Sequence, residues 1–498
     1  MSRSRSALAE PTNSLCRQRW PGGCALSSPH ALGLGLILIA CAYGLMAIVG
    51  LPLFGDGAYY FFMLVLNGAP EVPNLRVAGI IPQLPVLLVG WLNDDVRLLR
   101  HVFAFAYMAP PVLSLLVCWV VVRRRRPALI LLPTLFLVAD QVNFSAVSEL
   151  LMSLYVAWPL VLMAVLAPER RAAWIYAALL VPLLPLLHPL TFALSGLLGV
   201  VAWLNIRPGI QFARIWVWLA LALLVSGVLR LLWTLVGANA YERSHSDPGS
   251  AIGYLLTDTL SQGVLLTLVV CLALLLSLNW GVVGRGRGVA LLERLLFCGF
   301  VLLALLGILV AGEIVLGKGV KLKAAVTYPI GMLLMALAAA MARRPVLVSS
   351  ASTERRFSQI ARLFLIGSLT ILILACAKSI AWWTATHGLM NATASSEEGC
   401  VRFGPEDPYA LQWPWMAIID NWAAPINALV FRGPWPIPLL LPGDGCRVLA
   451  ETGQAQLTSW IQRPADRLDV RFGPLRAADA QEHHRALGSS PSDPGQNQ

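Results

Sequence analysis

Charged residues are scarce in this chain. Only 13% of its 498 residues are Asp, Glu, Lys or Arg, 57% are hydrophobic, and the mean hydropathy is +0.70. A soluble domain carries about a quarter charged residues. The composition therefore excludes an ordinary soluble protein and predicts a polytopic membrane protein.

The motifs of familiar soluble enzymes are also missing. The sequence contains no Gly-Lys-Ser/Thr phosphate loop, no His-Glu-x-x-His and no Cys-x-x-Cys. The net charge of +11 does not indicate nucleic-acid binding, because the basic residues fall mostly in short clusters between apolar runs. No nucleic-acid partner is expected, and the residues give no basis for a metal site or other cofactor.

What the sequence does contain is a series of long apolar runs. Crossing a bilayer takes about 20 residues. Eleven candidate runs lie at 31–51, 102–122, 127–140, 148–167, 172–187, 190–206, 215–236, 255–280, 292–316, 324–341 and 362–383. We expect an all-α membrane domain over 31–383 with about eleven transmembrane helices.

The basic clusters predict the orientation of these helices. They precede the first run and follow the second, fourth, sixth, eighth and tenth runs, so all share one side if the N-terminus is cytoplasmic. The sequence is rich in Ala, Leu and Pro and has Arg-rich loops, which suggests a GC-rich bacterium. The membrane is then expected to be the bacterial inner membrane. The loop 52–101 and the C-terminus are then expected in the periplasm, and apolar pieces at 57–66 and 77–92 suit interfacial helices.

The ends of the chain differ from its middle. Residues 1–30 and 476–498 are polar and predicted to be disordered tails, and 384–475 is predicted to be a small periplasmic α/β domain. Within that domain, Cys446-Arg447-Val448-Leu449 is interpreted as a strand. Cys400 and Cys446 are its only cysteines, and an oxidising periplasm would allow a disulfide, although sequence separation does not decide the pairing.

The first outer loop opens on the candidate catalytic carboxylate. Asp56 lies directly after the first run between Gly55 and Gly57, which permit close approach by other groups. A solvated loop aspartate is the alternative. Glu149 opens the fourth run on the same side and is either a second catalytic acid or an interface-facing side chain. Asp94 and Asp95 either cap the next helix, which is the favoured interpretation, or have a functional role.

Several basic residues are candidates for binding a phosphate. Lys318, Lys321 and Lys323 lie on the outer side, against the usual charge bias, and would bind either a phosphate or anionic lipid. Arg230 lies inside the seventh run, where charge is costly and usually functional, unless its side chain snorkels to the interface. For Lys378 in the last run, snorkelling is expected.

Together these residues suit transfer from a lipid-phosphate donor. An outer carboxylate would accept the proton of an incoming hydroxyl, and the cations would stabilise the leaving phosphate as its charge grows. His188, in the turn between the fifth and sixth runs, is either a substrate contact or a residue that hydrogen-bonds a helix end; the second is favoured for an isolated His.

The chain resembles the GT-C superfamily of polytopic glycosyltransferases, especially the branch with protein O-mannosyltransferases and lipid A aminoarabinose transferases. The similarity is carried by Gly55-Asp56-Gly57-Ala58-Tyr59-Tyr60, Pro82 to Trp91, Asn93-Asp94-Asp95, Arg97 or Arg100, Ser148-Glu149, and Lys323 before Tyr328-Pro329. Gly57 departs from the pattern, since many members have a second acid there.

The resemblance implies an inverting hexosyl- or pentosyltransferase that uses a polyprenyl-phosphate sugar on the periplasmic side. Asp56 would be the general base, with Tyr59 and Tyr60 at the substrate, and the acceptor would be a lipid-linked glycan, a lipid or a protein hydroxyl. Some relatives use a divalent metal and others do not. Two other functions remain as alternatives: a lipid or polysaccharide flippase, and a non-catalytic export scaffold. The four tryptophans of the outer C-terminal segment would either anchor it on membrane lipid or stack on sugars.

Overall fold

The structure is a computed structural model and is predominantly helical. It describes residues 28–73, 76–144, 147–204, 206, 212–237, 257–280, 294–296, 298–303, 305–307, 309, 326–343, 350–394, 399–403, 418–419, 422–432 and 438–475. Five helices are long and apolar enough to cross a membrane: His30–Ile48, Val96–Val122, Glu149–Leu166, Ala213–Gly237 and Phe357–Ala394. The chain is therefore a helical membrane protein in its coarse architecture.

Helices coincide with all eleven apolar runs. In chain order the helices are α1 (Ser28–Ile48), α2 (Asp56–Asn67), α3 (Leu84–Gly90), α4 (Val96–Val122), α5 (Leu131–Gln141), α6 (Glu149–Leu166), α7 (Arg171–Leu183), α8 (Thr191–Leu204), α9 (Ala213–Gly237), α10 (Thr259–Trp280), α11 (Tyr328–Arg343) and α12 (Ser350–Ala394). The run predicted at 292–316 is helical where it is described, between residues 294 and 309.

The helices pack as a bundle whose centre is α6. This helix is almost wholly buried and contacts α4, α8 and α11, whereas α9 is mostly exposed and packs chiefly on α8. On the other side, α1 lies along α12 and also contacts α4. Apolar side chains that remain exposed on α4 and α9 are those expected to face lipid.

The loops at one end of the bundle contact each other through basic side chains. Arg125, after α4, pairs with Glu169, after α6, at 2.6 Å, and Arg126 donates to the carbonyl of Met341 near the end of α11 at 3.1 Å. The loops after the second, fourth and tenth runs therefore share one end. The start of α6, at Glu149, lies at the opposite end.

The second span begins earlier than the sequence indicated. It starts at Val96 rather than near residue 102, because Asp95 caps the helix by accepting the backbone N–H of Arg97 at 2.9 Å. The capping role expected for Asp95 is confirmed. The loop before it contains α2, a 3₁₀ helix over Val77–Gln83 and α3.

The turn before α2 explains its glycines. Gly55 has φ of 55° at the helix start, a conformation that favours glycine. A Cβ added at Gly57 would lie 1.7 Å from the carbonyl oxygen of Pro52. Residue 57 therefore has no room for a side chain, acidic or otherwise.

The last helix is much longer than predicted. α12 continues from Ser350 to Ala394, well beyond the run 362–383, so the domain boundary expected at 384 falls within a helix. The described C-terminal segment then contains α13 (Ala424–Phe431), α14 (Gly445–Thr452) and α15 (Ala465–Phe472). Its strands are β1 (Cys400–Phe403), β2 (Leu439–Pro442), β3 (Gln454–Gln456) and β4 (Gln462–Pro464).

The strands form two small sheets. β1 pairs in parallel with β2, with Cys400 opposite Leu439, and β3 pairs antiparallel with β4. A disulfide joins Cys400 to Cys446, with 5.7 Å between their Cα atoms. The segment packs on the membrane-side helices: Phe472 stacks on Phe62 of α2, with 5.1 Å between ring centroids.

The strand predicted at Cys446–Leu449 is wrong, because these residues begin α14. Local side-chain spacing favours the helix: Arg447 pairs with Asp444 at 3.3 Å and with Glu451 at 3.4 Å, the i, i+3 and i, i+4 partners of a helical turn. Gly453, with φ of 67°, ends the helix in a left-handed conformation.

Candidate functional site

Asp56 is the first residue of α2 and is exposed. It stands in the first turn of the helix, directly after Gly55. Within the described part of the chain, this carboxylate makes no hydrogen bond or ion pair. Asp56 is therefore a charged group held on a rigid element and free to accept a proton from an incoming molecule.

Glu149 is the first residue of α6, where Ser148 caps the helix by accepting the N–H of Leu151 at 3.4 Å. The side chain is buried, at 6% exposure. Both of its oxygens are occupied: Tyr60 donates its hydroxyl to Oε1 at 2.7 Å, and Arg76 donates to Oε2 at 3.2 Å. A buried carboxylate satisfied in this way is a positioning group rather than an open base.

Tyr60 lies one helical turn after Asp56 on α2 and donates its hydroxyl to Glu149. Burial raises the pKa of its phenol far above the usual value, and the negative charges of Glu149 and then Asp56 raise it further, whereas Arg76 opposes them. Both acids therefore act on one hydroxyl that remains a donor at any physiological pH. Asp56, Tyr60, Arg76 and Glu149 are called the Asp56 site below.

Gln83 fixes the loop that carries Arg76. Its amide accepts the N–H of Glu71 at 2.8 Å and donates to the carbonyls of Glu71, at 2.8 Å, and Gly79, at 3.0 Å. The side chain of Glu71 accepts the Tyr59 hydroxyl at 2.9 Å. Burial and Glu71 raise the pKa of Tyr59 to about 12. The hydroxyl of Tyr59 is thus engaged in holding the loop, while that of Tyr60 belongs to the site.

A second polar cluster lies inside the bundle. The Tyr155 hydroxyl donates to Asp140 Oδ2 at 2.5 Å, and Asn143 donates to the Thr327 hydroxyl at 2.9 Å. Lys378 is only 6% exposed and donates its Nζ to the carbonyl of Asn143 at 3.1 Å. The expectation that Lys378 snorkels is wrong, because its ammonium is used to bind the segment that links α5 to α6.

The other predicted cations are not joined to the Asp56 site by the described contacts. Arg230 is buried in α9, a peripheral helix that packs mainly on α8. Lys318, Lys321 and Lys323 lie outside the described residues. Their predicted contact with a phosphate remains a prediction.

His188 helps to begin α8. Its Nδ1 accepts the N–H of Leu190 at 3.2 Å, and its carbonyl oxygen accepts the Thr191 hydroxyl at 2.6 Å. The role at a helix end that was favoured from the sequence is confirmed, and a substrate contact stays a prediction.

The described residues contain no group of three or more His, Cys, Asp or Glu side chains that would hold a metal ion. At the Asp56 site, the two carboxylates are not equivalent ligands because both oxygens of Glu149 are already bonded.

Sequence reasoning missed Arg76 and Gln83. A signal for Arg76 was present, since it is the only Lys or Arg between Arg19 and Arg97 in the sequence and lies in the loop between the two candidate acids. A single Arg in a mostly apolar loop needs a partner for its charge, and a carboxylate brought close by the fold is the natural one. Gln83 gave no such signal, because an uncharged amide within an apolar stretch has many possible environments.

In comparisons with known proteins, no family model, no curated protein and no solved structure matches the chain.

Proposed function

We propose that this protein is a membrane glycosyltransferase that transfers a hexose or pentose from a polyprenyl-phosphate donor to a hydroxyl group, with Asp56 as general base. The observation that carries the proposal is the exposed carboxylate of Asp56, which has no partner among the described residues, after the first span and near a buried Tyr60–Glu149–Arg76 network. A base needs an open carboxylate and a rigid support, and this arrangement supplies both.

The reaction is a single displacement at the anomeric carbon. The acceptor oxygen forms the new bond to that carbon, its proton passes to Asp56, and the bond from the carbon to the phosphate oxygen breaks. The electron pair leaves with the polyprenyl phosphate, whose growing charge requires a cation. Lys318, Lys321, Lys323 and Arg230 are the proposed sources of that cation, in keeping with the resemblance to GT-C enzymes.

Glu149 has a supporting role in this proposal. It holds Tyr60 and Arg76, so that the first turn of α2 and the loop after it stay fixed relative to α6.

We place the Asp56 site and the C-terminal segment on the periplasmic side of a bacterial inner membrane, in a protein with eleven spans and a cytoplasmic N-terminus. Two contacts support a shared end: Phe472 stacks on Phe62 at 5.1 Å, and Arg467 donates to Asn67 at 3.4 Å. The basic loops with Arg125 and Arg126 lie at the opposite end. That separation is the one expected from the positive-inside rule.

A lipid flippase is the second candidate. The observation in its favour is the buried cluster of Asp140 and Lys378, because charged groups inside a helical bundle often mark a transport pathway. The glycosyltransferase is preferred, since Lys378 is bonded to a carbonyl and Asp140 to Tyr155, whereas Asp56 makes no such bond in the part of the chain that the structure describes.

Reconstitution distinguishes the two functions. The full-length protein is placed in liposomes with radiolabelled polyprenyl-phosphate sugars and candidate acceptors, namely a lipid-linked glycan, lipid A and a Ser/Thr peptide. A glycosyltransferase releases free polyprenyl phosphate and labels an acceptor covalently. Movement of intact donor between leaflets without any covalent product would reject the proposal in favour of a flippase.

A further inference from the structure

A cavity separate from the Asp56 site opens at the same end of the bundle. It has a volume of about 220 Å³ and is formed where α1, α4, α12 and α13 meet. Its lining includes Ile48, Arg100, Trp383, Thr386, His387 and Phe431. None of these residues belongs to the Asp56 site, and the volume is smaller than that of most sites for drug-sized ligands.

Arg100 gives the cavity its charge. Its guanidinium lies over the ring of Phe431, 4.9 Å from the centroid, and donates only one long hydrogen bond, 3.4 Å, to the carbonyl of Val430. Asp95, the acid closest to Arg100 in sequence, pairs with Arg97 instead. Among the described residues, no carboxylate lies within 4.0 Å of Arg100, so most of its donors remain available to an anion.

The other donor in the cavity is His387, on α12. Its ring stacks on Trp383 with 4.8 Å between centroids and an angle of 20° between planes, which holds the imidazole in place. Arg100 and His387 approach the cavity from different helices. A tetrahedral oxyanion has enough oxygens to accept hydrogen bonds from Arg100 and His387 together, whereas a single neutral hydroxyl does not.

The rim of the cavity faces the lipid. Ile48, the last residue of α1, is 59% exposed, and Trp383, about three turns before the end of α12, is 53% exposed. Tryptophan beside arginine at the end of a span is typical of the headgroup level of a membrane. A ligand that enters here brings acyl chains to cover Ile48 and Trp383 and an anionic head to meet Arg100.

We propose that this cavity binds the phosphate group of a membrane phospholipid, with Arg100 as the principal contact and His387 as the second. Phospholipid is the bulk component around such an opening, so mass action favours it over a scarce lipid. Arg100 of α4 contacts Phe431 and the Val430 carbonyl of α13, so a lipid bound to Arg100 lies where α13 meets α1, α4 and α12. It therefore fastens the C-terminal segment to the membrane domain.

Lipid binding to full-length protein in detergent tests the proposal. The probes are phosphatidylglycerol, diacylglycerol, inorganic phosphate and polyprenyl phosphate, and the readouts are native mass spectrometry and the rise in melting temperature. We expect phosphatidylglycerol to bind and to stabilise the protein, whereas diacylglycerol and inorganic phosphate do neither. Arg100→Gln should weaken phosphatidylglycerol binding at least about tenfold, the effect of losing charge-assisted hydrogen bonds.

Arg97→Gln is the matched control, because Arg97 lies on the same helix turn but is exposed and paired with Asp95. It should retain wild-type binding. Arg100→Lys keeps the charge and should recover part of the binding, which separates loss of the site from a folding defect. Equal phosphatidylglycerol binding by wild type and Arg100→Gln would overturn the proposal. Stabilisation by inorganic phosphate alone, or a preference for polyprenyl phosphate over phosphatidylglycerol, would also overturn it. All of these readouts are independent of sugar transfer.

Discussion

Asp56 and Glu149 are both carboxylates at helix starts, yet their surroundings give them different tasks. Asp56 is exposed and unbonded within the described chain, while Glu149 is buried with both oxygens occupied. The sequence predicted Asp56 as the catalytic carboxylate and left Glu149 as either a second catalytic acid or an interface-facing side chain, because it shows which residues are acidic and where helices begin. It does not show which acid meets Tyr60 and Arg76, since those contacts join residues far apart in the chain.

Replacing Tyr60 tests the support given by Glu149. Tyr60→Phe removes the donor to a buried charge at 2.7 Å and should lower stability by about 2 kcal/mol and slow transfer. The measurements are the melting temperature and the initial transfer rate at saturating donor. Tyr176→Phe removes a phenol that donates to the Val156 carbonyl at 2.8 Å, far from the site, and should leave transfer unchanged. Full activity and stability in Tyr60→Phe would contradict the role of this bond.

At the scale of elements, the turn that leads into α2 is built around α12. Trp382 donates to the carbonyl of Gly50 at 3.0 Å, and its ring contacts that of Phe54 with 5.8 Å between centroids. Lys378, one turn earlier, bonds the carbonyl of Asn143. One helix thus holds both the turn before Asp56 and the segment before Glu149.

Gly57→Ala tests the tightness of this turn. The added Cβ would lie 1.7 Å from the Pro52 carbonyl oxygen, so the backbone must shift and carry Asp56 with it. We expect a loss of about 3 kcal/mol in stability, together with reduced transfer. Chemical denaturation and the transfer assay measure these effects. Gly33→Ala has nothing within 4 Å of the new atom and should be tolerated; if the two variants behaved alike, the packing described for α2 would be incorrect.

Most helices could be predicted from apolar runs, because burial in lipid or protein selects for hydrophobic residues over a fixed length. Two elements could not. α12 continues to Ala394 through residues such as Thr386 and His387, where polarity suggested a loop. In α14, Arg447 pairs with acids three residues before it and four residues after it, a spacing that favours a helix. The apolar residues of the same segment suggested a strand instead.

At the scale of the whole molecule, the two ends of the bundle differ in charge and in the groups that they carry. The end with Arg125 and Arg126 ties loops together through Glu169 and the Met341 carbonyl. The other end carries the Asp56 site and the C-terminal segment. The basic clusters allowed this polarity to be predicted, since the insertion bias acts on loops directly. The packing of Phe472 on Phe62 was not predictable, because it depends on the tertiary fold.

Cysteine labelling with a membrane-impermeant reagent tests the orientation. Val320→Cys lies in the lysine-containing loop predicted to be periplasmic and should be labelled on intact cells. Arg124→Cys follows the second span, is exposed and should be labelled only after the membrane is opened. Labelling in the reverse pattern would place the Asp56 site in the cytoplasm and remove the periplasmic donor from the account.

The central claim is that Asp56 accepts the proton of the acceptor hydroxyl, and the most direct test is the single-turnover transfer rate of Asp56→Asn with bound polyprenyl-phosphate sugar. Asn keeps the size of the side chain but is not a base, so the rate should fall by roughly 10²- to 10⁴-fold while donor affinity and melting temperature stay near wild type. Asp94→Asn, a change to an exposed acid of the same loop, should transfer normally. A rate for Asp56→Asn within about twofold of wild type would contradict the claim.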